Sequence, residues 1–181
     1  TGTSYSFGGD YTANADETLY PVWEAIVFEA TGDTYVSPGR SSTVYGAGDT
    51  ILMKNAGPTS SFTRVGYIEF NYDPSFVWDG AALELTVAGN NGGGSPIGYN
   101  KTFTTFNVDV YAFTDASWDE STMDFDVVNA TSQDWGLDNS SPFLPDGGTK
   151  IGTIGIPTSV STVGQTFSIS NSLLDTFLNN D

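Results

Sequence analysis

The sequence predicts an all-β protein, a jelly-roll-like antiparallel β-sandwich with one short C-terminal helix and an extended N-terminal arm. Three observations carry that prediction. Strand-length segments recur between turn clusters, and several alternate apolar and polar residues at period two. Gly, Ser, Thr and Asn are abundant, whereas Lys and Glu, the usual dressing of helix surfaces, are scarce. The length of 181 residues suits one domain with a sizeable core.

Residues 1–18 read as the arm. Tyr5 and Phe7 alternate with Ser4 and Ser6, and Gly8-Gly9 marks a hinge. The sandwich is assigned to residues 19–181. Its first segment, Leu19–Ala30, is apolar on both faces, as in a strand buried on two sides. Strands are then expected over Asp33–Ser37, Thr43–Lys54, Phe62–Tyr72, Ala81–Ala88, Phe103–Phe113, Met123–Val128, Lys150–Ile156 and Thr166–Ser170. Leu83, Leu85 and Val87 oppose Glu84 and Thr86. Phe106, Val108, Val110 and Ala112 oppose Asn107, Asp109 and Tyr111, and Ile68 and Phe70 oppose Tyr67 and Glu69. Half-buried antiparallel strands give this pattern. The stretch Ala88–Lys101 is a loop, lacking the Lys-Ser/Thr ending of a phosphate-binding loop. One helix is expected at the end, where Leu173, Leu174, Phe177 and Leu178 share a face behind Ser170 or Asn171 as N-cap.

The charge narrows function by exclusion. Asp and Glu number 22 against five Lys and Arg, with no His and no Cys, a formal charge of −17. Zinc sites built on Cys or His, Ser-His-Asp triads, Cys nucleophiles and disulfides are excluded. Nucleic acid is disfavoured because phosphate backbones call for clustered cations, and an anionic membrane surface is disfavoured likewise. No apolar run reaches the roughly 20 residues a membrane helix needs. The chain reads as a mature exported protein, with no initiator Met and no basic and apolar leader. The charge itself fits either a self-repelling surface or a collector of divalent cations.

Three stretches resemble the extracellular β-sandwich domains called DNRLRE domains, related to carbohydrate-binding modules that grip alginate. They are DTYVSPGRSSTVYGAGDTILMKN (33–55), TRVGYIEFNYDPSFVWDGAALELTV (63–87) and NVDVYAFTDASWDESTMDFD (107–126), with Trp118–Thr122 the most specific piece. The resemblance implies a sandwich that continues past the short helix with closing strands, whereas this chain stops at Asp181. It also leaves about 30 preceding residues unaccounted for. A missing strand beside a spare alternating arm implies donor-strand complementation between subunits. That architecture looks like the cannula proteins of archaea, extracellular tubule subunits, and implies calcium-dependent self-assembly. The plainer alternative is a fragment in which Leu19–Ala30 fills the gap.

The expected function is therefore an extracellular structural subunit that polymerises with copies of itself, with Ca²⁺ bridging acidic loops. The contrasting expectation is a non-catalytic carbohydrate-binding module of a secreted multidomain protein. Donor-strand anchors would be Tyr5 and Phe7, or Val22, Ile26 and Phe28 if the longer run is the donor. Candidate Ca²⁺ ligands are Asp115, Asp119, Glu120, Asp124 and Asp126, five acids within twelve residues, against the alternative of a solvated rim over Trp118. Asp33 with Asp49, and Asp73 with Asp79, are further loop candidates, and Asp10 and Asp16 are placed to bridge subunits. Glu69 and Glu84 sit on strands and are the carboxylates a glycosidase would pair across one groove, and nothing else supports an enzyme.

For sugars, Trp78 and Trp135 sit in polar loops and suit stacking, whereas Trp23 and Trp118 fit core packing better. An anionic glycan requires that three or more of Arg40, Lys54, Arg64, Lys101 and Lys150 converge, since no other cations exist. Sequons at Asn100, Asn129 and Asn139 permit glycosylation, at a frequency composition alone produces.

Overall fold

Period-two alternation becomes paired antiparallel strands in the computed structural model, which describes residues 25–57, 60–73, 75–88, 104–114, 118–131, 136–137, 147–158 and 163–180. β1 (Ala30–Val36) pairs with β2 (Val65–Phe70), Val36 opposite Val65 and Ala30 opposite Phe70. β3 (Leu83–Thr86) pairs with β6 (Thr166–Ile169), and β4 (Thr105–Ala112) pairs with β5 (Thr149–Pro157). All three pairs are antiparallel, and the architecture is all-β and sandwich-like, with two short α-helices among the described residues.

Two apolar clusters hold these pairs together. Under β1–β2 lie Val36, Tyr67, Met123, Val128 and Leu137, with Trp118 and Phe125 packed against them. Between β4–β5, β3–β6 and the last helix lie Val108, Ile151, Ile154, Ile156 and Ile169, joined by Leu83, Leu85, Phe167, Leu174 and Phe177. Ile151 and Ile154 are both buried although three residues apart. Strict alternation forbids that, and the register slip opposite Val110–Tyr111 supplies the extra residue. Gly152 sits there at φ +155°, where a Cβ would press within 2.5 Å of the Ile169 side chain. Only glycine fits.

The inward and outward faces of β3 and β4 are those the alternation predicts, with Val108 buried and Glu84 and Asp109 exposed. β2 differs. Tyr67 is its buried residue and Phe70 is exposed, because the first cluster lies on the Val65–Tyr67–Glu69 side.

Three segments depart from the expected strands. Met123–Val128 is helical: α1 spans Phe125–Ala130, and the Asp124 carboxylate accepts the Val127 N–H at 2.9 Å. An N-cap followed by Phe125 and Val128 at helical spacing overrides the β-branched pair Val127–Val128. Thr43–Lys54 forms no described strand beyond a single bridge from Lys54 to Arg64. Ala25–Glu29 has no strand either, and Ile26 and Val27 are 61 % and 82 % exposed, not buried on two faces. The C-terminal helix is as expected. α2 spans Ser172–Asn180, and Asn171 Oδ1 caps it by accepting the N–H groups of Leu173 and Leu174. The Asn171 amide also donates to the Ile151 carbonyl, tying α2 to β5.

Candidate functional site

The Val36–Val65 end of the β1–β2 ladder gathers cations around aromatic rings. Beyond Val36 the chain turns through Pro38–Arg40, where the Gly39 N–H donates to the Ser61 carbonyl at 2.9 Å. Lys54 and Arg64 face each other across a backbone bridge of two hydrogen bonds, 3.2 and 2.8 Å long. Directly opposed residues of an antiparallel pair project to the same side. The Arg64 guanidinium lies 5.9 Å from the Tyr35 ring centre, and the Lys54 ammonium lies 5.3 Å from that of Phe62. Tyr45 stacks on Tyr35 at 4.1 Å and 18°. Arg40 acts electrostatically on the same Tyr35 phenol.

Burial first, and then Tyr45, raise the pKa of that phenol, with Arg64 and Arg40 partly opposing the rise. Tyr35 therefore stays a neutral donor at the foot of the patch. Phe62 is 64 % exposed beside Lys54, an open ring next to a cation.

None of Arg40, Lys54 and Arg64 makes an ion pair among the described residues, where the single ion pair joins Lys150 to Asp109 at 3.0 Å. Three of the chain's five cations thus lie around one end of the ladder, with no ion pair to any of them among the described residues, in a chain with 22 acids. That arrangement leaves fixed positive charge for a ligand to use.

The opposite end of the ladder is aromatic and acidic. Trp78 is ringed by Phe28 at 5.4 Å, Tyr72 at 5.5 Å and Phe76 at 6.1 Å, the last two edge-on. Its indole N–H is buried with no hydrogen-bond partner among the described residues, a cost on the order of 1–3 kcal/mol. Asn179 on α2 clamps the same residue's backbone, accepting the Trp78 N–H at 2.8 Å and donating to its carbonyl at 2.9 Å. Asp175, one turn earlier, accepts the Ala81 N–H at 2.8 Å. Trp78 is therefore the hub of a cluster, and Phe76, 41 % exposed, is its outward ring.

The described acidic candidates serve largely as turn and cap residues. Asp119 accepts the Ser121 N–H and Asp73 accepts the Ser75 N–H, each at 2.8 Å, and these bonds hold both carboxyls below the ordinary range. Asp124 caps α1, and Asp126, Asp49 and Asp79 are exposed. Glu120 accepts the Asp33 N–H at 2.9 Å. A Cβ on Gly32 would meet Glu69 Oε2 at 3.1 Å, Glu120 Oε2 at 3.4 Å and the Trp118 ring at 3.7 Å. Burial, and then the Glu120 charge, raise the Asp33 pKa. No three acidic residues form a metal-holding group among the described residues.

Trp118 packs edge-on against Tyr67, a core role. Glu84 faces outward from β3, and Asn129 is half-buried in α1. Tyr5, Phe7, Asp10, Asp16, Val22, Trp23, Asn100, Lys101, Asp115, Trp135 and Asn139 lie outside the described residues.

Phe62, Phe76 and Asn179 are the contributors that sequence reasoning missed. Lys54 and Arg64 flank the turn cluster Asn55–Ser60, and that symmetry was the available sign that they meet. Nothing local marks Asn179 as a partner of Trp78, 101 residues earlier.

A family profile, carbohydrate-binding module family 96, matches residues 24–132. The chain belongs to that family. The family 96 region contains both ends of the β1–β2 ladder, every cation of the basic patch and all four rings of the aromatic cluster. No curated protein and no solved structure matches the chain. Among the described residues of this family 96 module, no helix is long and apolar enough to cross a membrane.

Proposed function

We propose that the chain is a non-catalytic module of a secreted protein that binds a uronic-acid polysaccharide at Arg40, Lys54 and Arg64. One observation carries the reading: Lys54 stands opposite Arg64 across a bridge and Arg40 acts with Arg64 on Tyr35, with no ion pair to any of the three among the described residues. Guanidinium groups match carboxylates in bidentate geometry, and each such charge-assisted bond outweighs a neutral one. The exposed Phe62 ring supplies an apolar face for the sugar ring between carboxylates. Family membership supports glycan binding over the self-assembly expected from the arm, and nothing described here favours strand donation or Ca²⁺ bridging.

The net charge sets the range of the interaction. At −17 the whole molecule repels a polyanion at long distance, so attraction acts only within about 10 Å of the patch at ordinary salt. Binding should therefore be slow to form and local in its determinants. Calorimetric titration with polymannuronate and polyguluronate hexamers tests the reading. Arg40→Ala combined with Arg64→Ala should remove binding while the melting temperature stays near that of the wild type. Undiminished affinity in that variant, or no binding by the wild type, sinks the proposal.

A further inference from the structure

We propose that the aromatic cluster at the Ala30–Phe70 end of the ladder is a second glycan contact, and that it takes an uncharged sugar. The cluster is built from two separate segments, Phe28 before β1 and Tyr72, Phe76 and Trp78 after β2. Its loop is held from outside by both polar atoms of the Asn179 amide and by Asp175, so the rings need little ordering when a ligand arrives. Phe76 presents an open ring, and its neighbour Val77 is 88 % exposed.

Charge chooses the occupant. Residues 25–29 and 72–80 contain Glu29, Asp73 and Asp79 and no Lys or Arg. A uronate or sulfated glycan would meet only like charge here. A second copy of this chain would bring the same three carboxylates and the same −17 against them. A neutral sugar offers C–H faces to the rings and hydroxyl groups that donate to Asp73 and Asp79. The site goes beyond the basic patch and does not depend on it.

The test uses the whole chain and the uncharged β-1,4-linked hexasaccharides cellohexaose, mannohexaose and xylohexaose, followed by calorimetry and tryptophan fluorescence. At least one should bind and perturb the fluorescence. Phe76→Ala should weaken it roughly three- to tenfold, the contribution of one stacked ring, while leaving polyuronate affinity unchanged. Phe76→Tyr should retain binding, which separates a stacking role from a folding defect. Arg40→Ala with Arg64→Ala should leave the neutral sugar bound, so failure of the uronate reading and failure of this one are distinguishable. No binding of any neutral hexasaccharide at millimolar concentration overturns the proposal. So does wild-type affinity in Phe76→Ala, or a wild-type dimer in sedimentation that Phe76→Ala dissolves.

Discussion

At the Val36–Val65 end of the β1–β2 ladder, Arg40 and Arg64 act on a stacked tyrosine pair and Lys54 lies over Phe62, none of the three in an ion pair among the described residues. At the Ala30–Phe70 end, four rings surround one another beside carboxylates. The same two strands set the position of both. β1 has seven residues, so the ends lie about 20 Å apart at the usual rise of a strand. That is roughly two Debye lengths at physiological salt, and neither end feels much of the other's charge. A short ladder thereby carries two surfaces of different chemistry without one compromising the other. Their support differs as well. The basic end rests on the turn Pro38–Arg40 and the Lys54–Arg64 bridge, contacts close in sequence, whereas the aromatic end is held by α2 from about 100 residues away.

The largest expected effect breaks both ends at once. Met123 is 1 % exposed beneath the ladder, and Met123→Ala should cost about 2–5 kcal/mol, read as a lower unfolding midpoint with loss of both binding surfaces. Next in size, Arg40→Ala with Arg64→Ala should lower polyuronate affinity by a hundredfold or more, to below detection, at about 1.5–3 kcal/mol for each charged hydrogen bond, and spare the aromatic end. Asn179→Ala should do the reverse. It removes two hydrogen bonds on the Trp78 peptide, costs about 1–2 kcal/mol, and should shift tryptophan fluorescence while polyuronate binding persists.

The smallest effect lies between the ends, at Asp33. Its folded pKa is raised above 3.8 by burial and by Glu120, so the folded state holds its proton longer than the unfolded one. Stability from this group is complete below pH 3.8 and is lost as pH rises through the folded value. Asp33→Asn should therefore stabilise the protein at neutral pH, with the gain fading in acid. Asp73 and Asp119 run the other way. Their lowered pKa values contribute stability above pH 3.8 that is lost as pH falls. A melting series across that range for each variant checks the signs.

Much of the fold was legible because it depends on local rules. The alternation in Leu83–Thr86 and Thr105–Ala112 places inner and outer faces correctly, since a pleat allows only two directions. The Asn171 cap and the apolar face of α2 were readable for the same reason. The reading failed at Met123–Val128, where valines suggest a strand and a single capping aspartate tips the segment into a helix. The Leu19–Ala30 reading failed over its described part, because an apolar run states only that burial is favourable and not where a partner lies.

The sequence by itself determined the class of the fold, the chemistries lacking from it, and the condition for an anionic ligand, namely that three of five cations meet. Only the tertiary structure decided that Lys54 stands opposite Arg64, that Arg40 and Arg64 both act on Tyr35, and that Trp78 is the hub of a cluster and not a free platform. The reason is physical. Periodicity and composition follow from neighbours along the chain, whereas convergence depends on how the β1–β2 ladder and α2 are packed, and no residue records that packing alone.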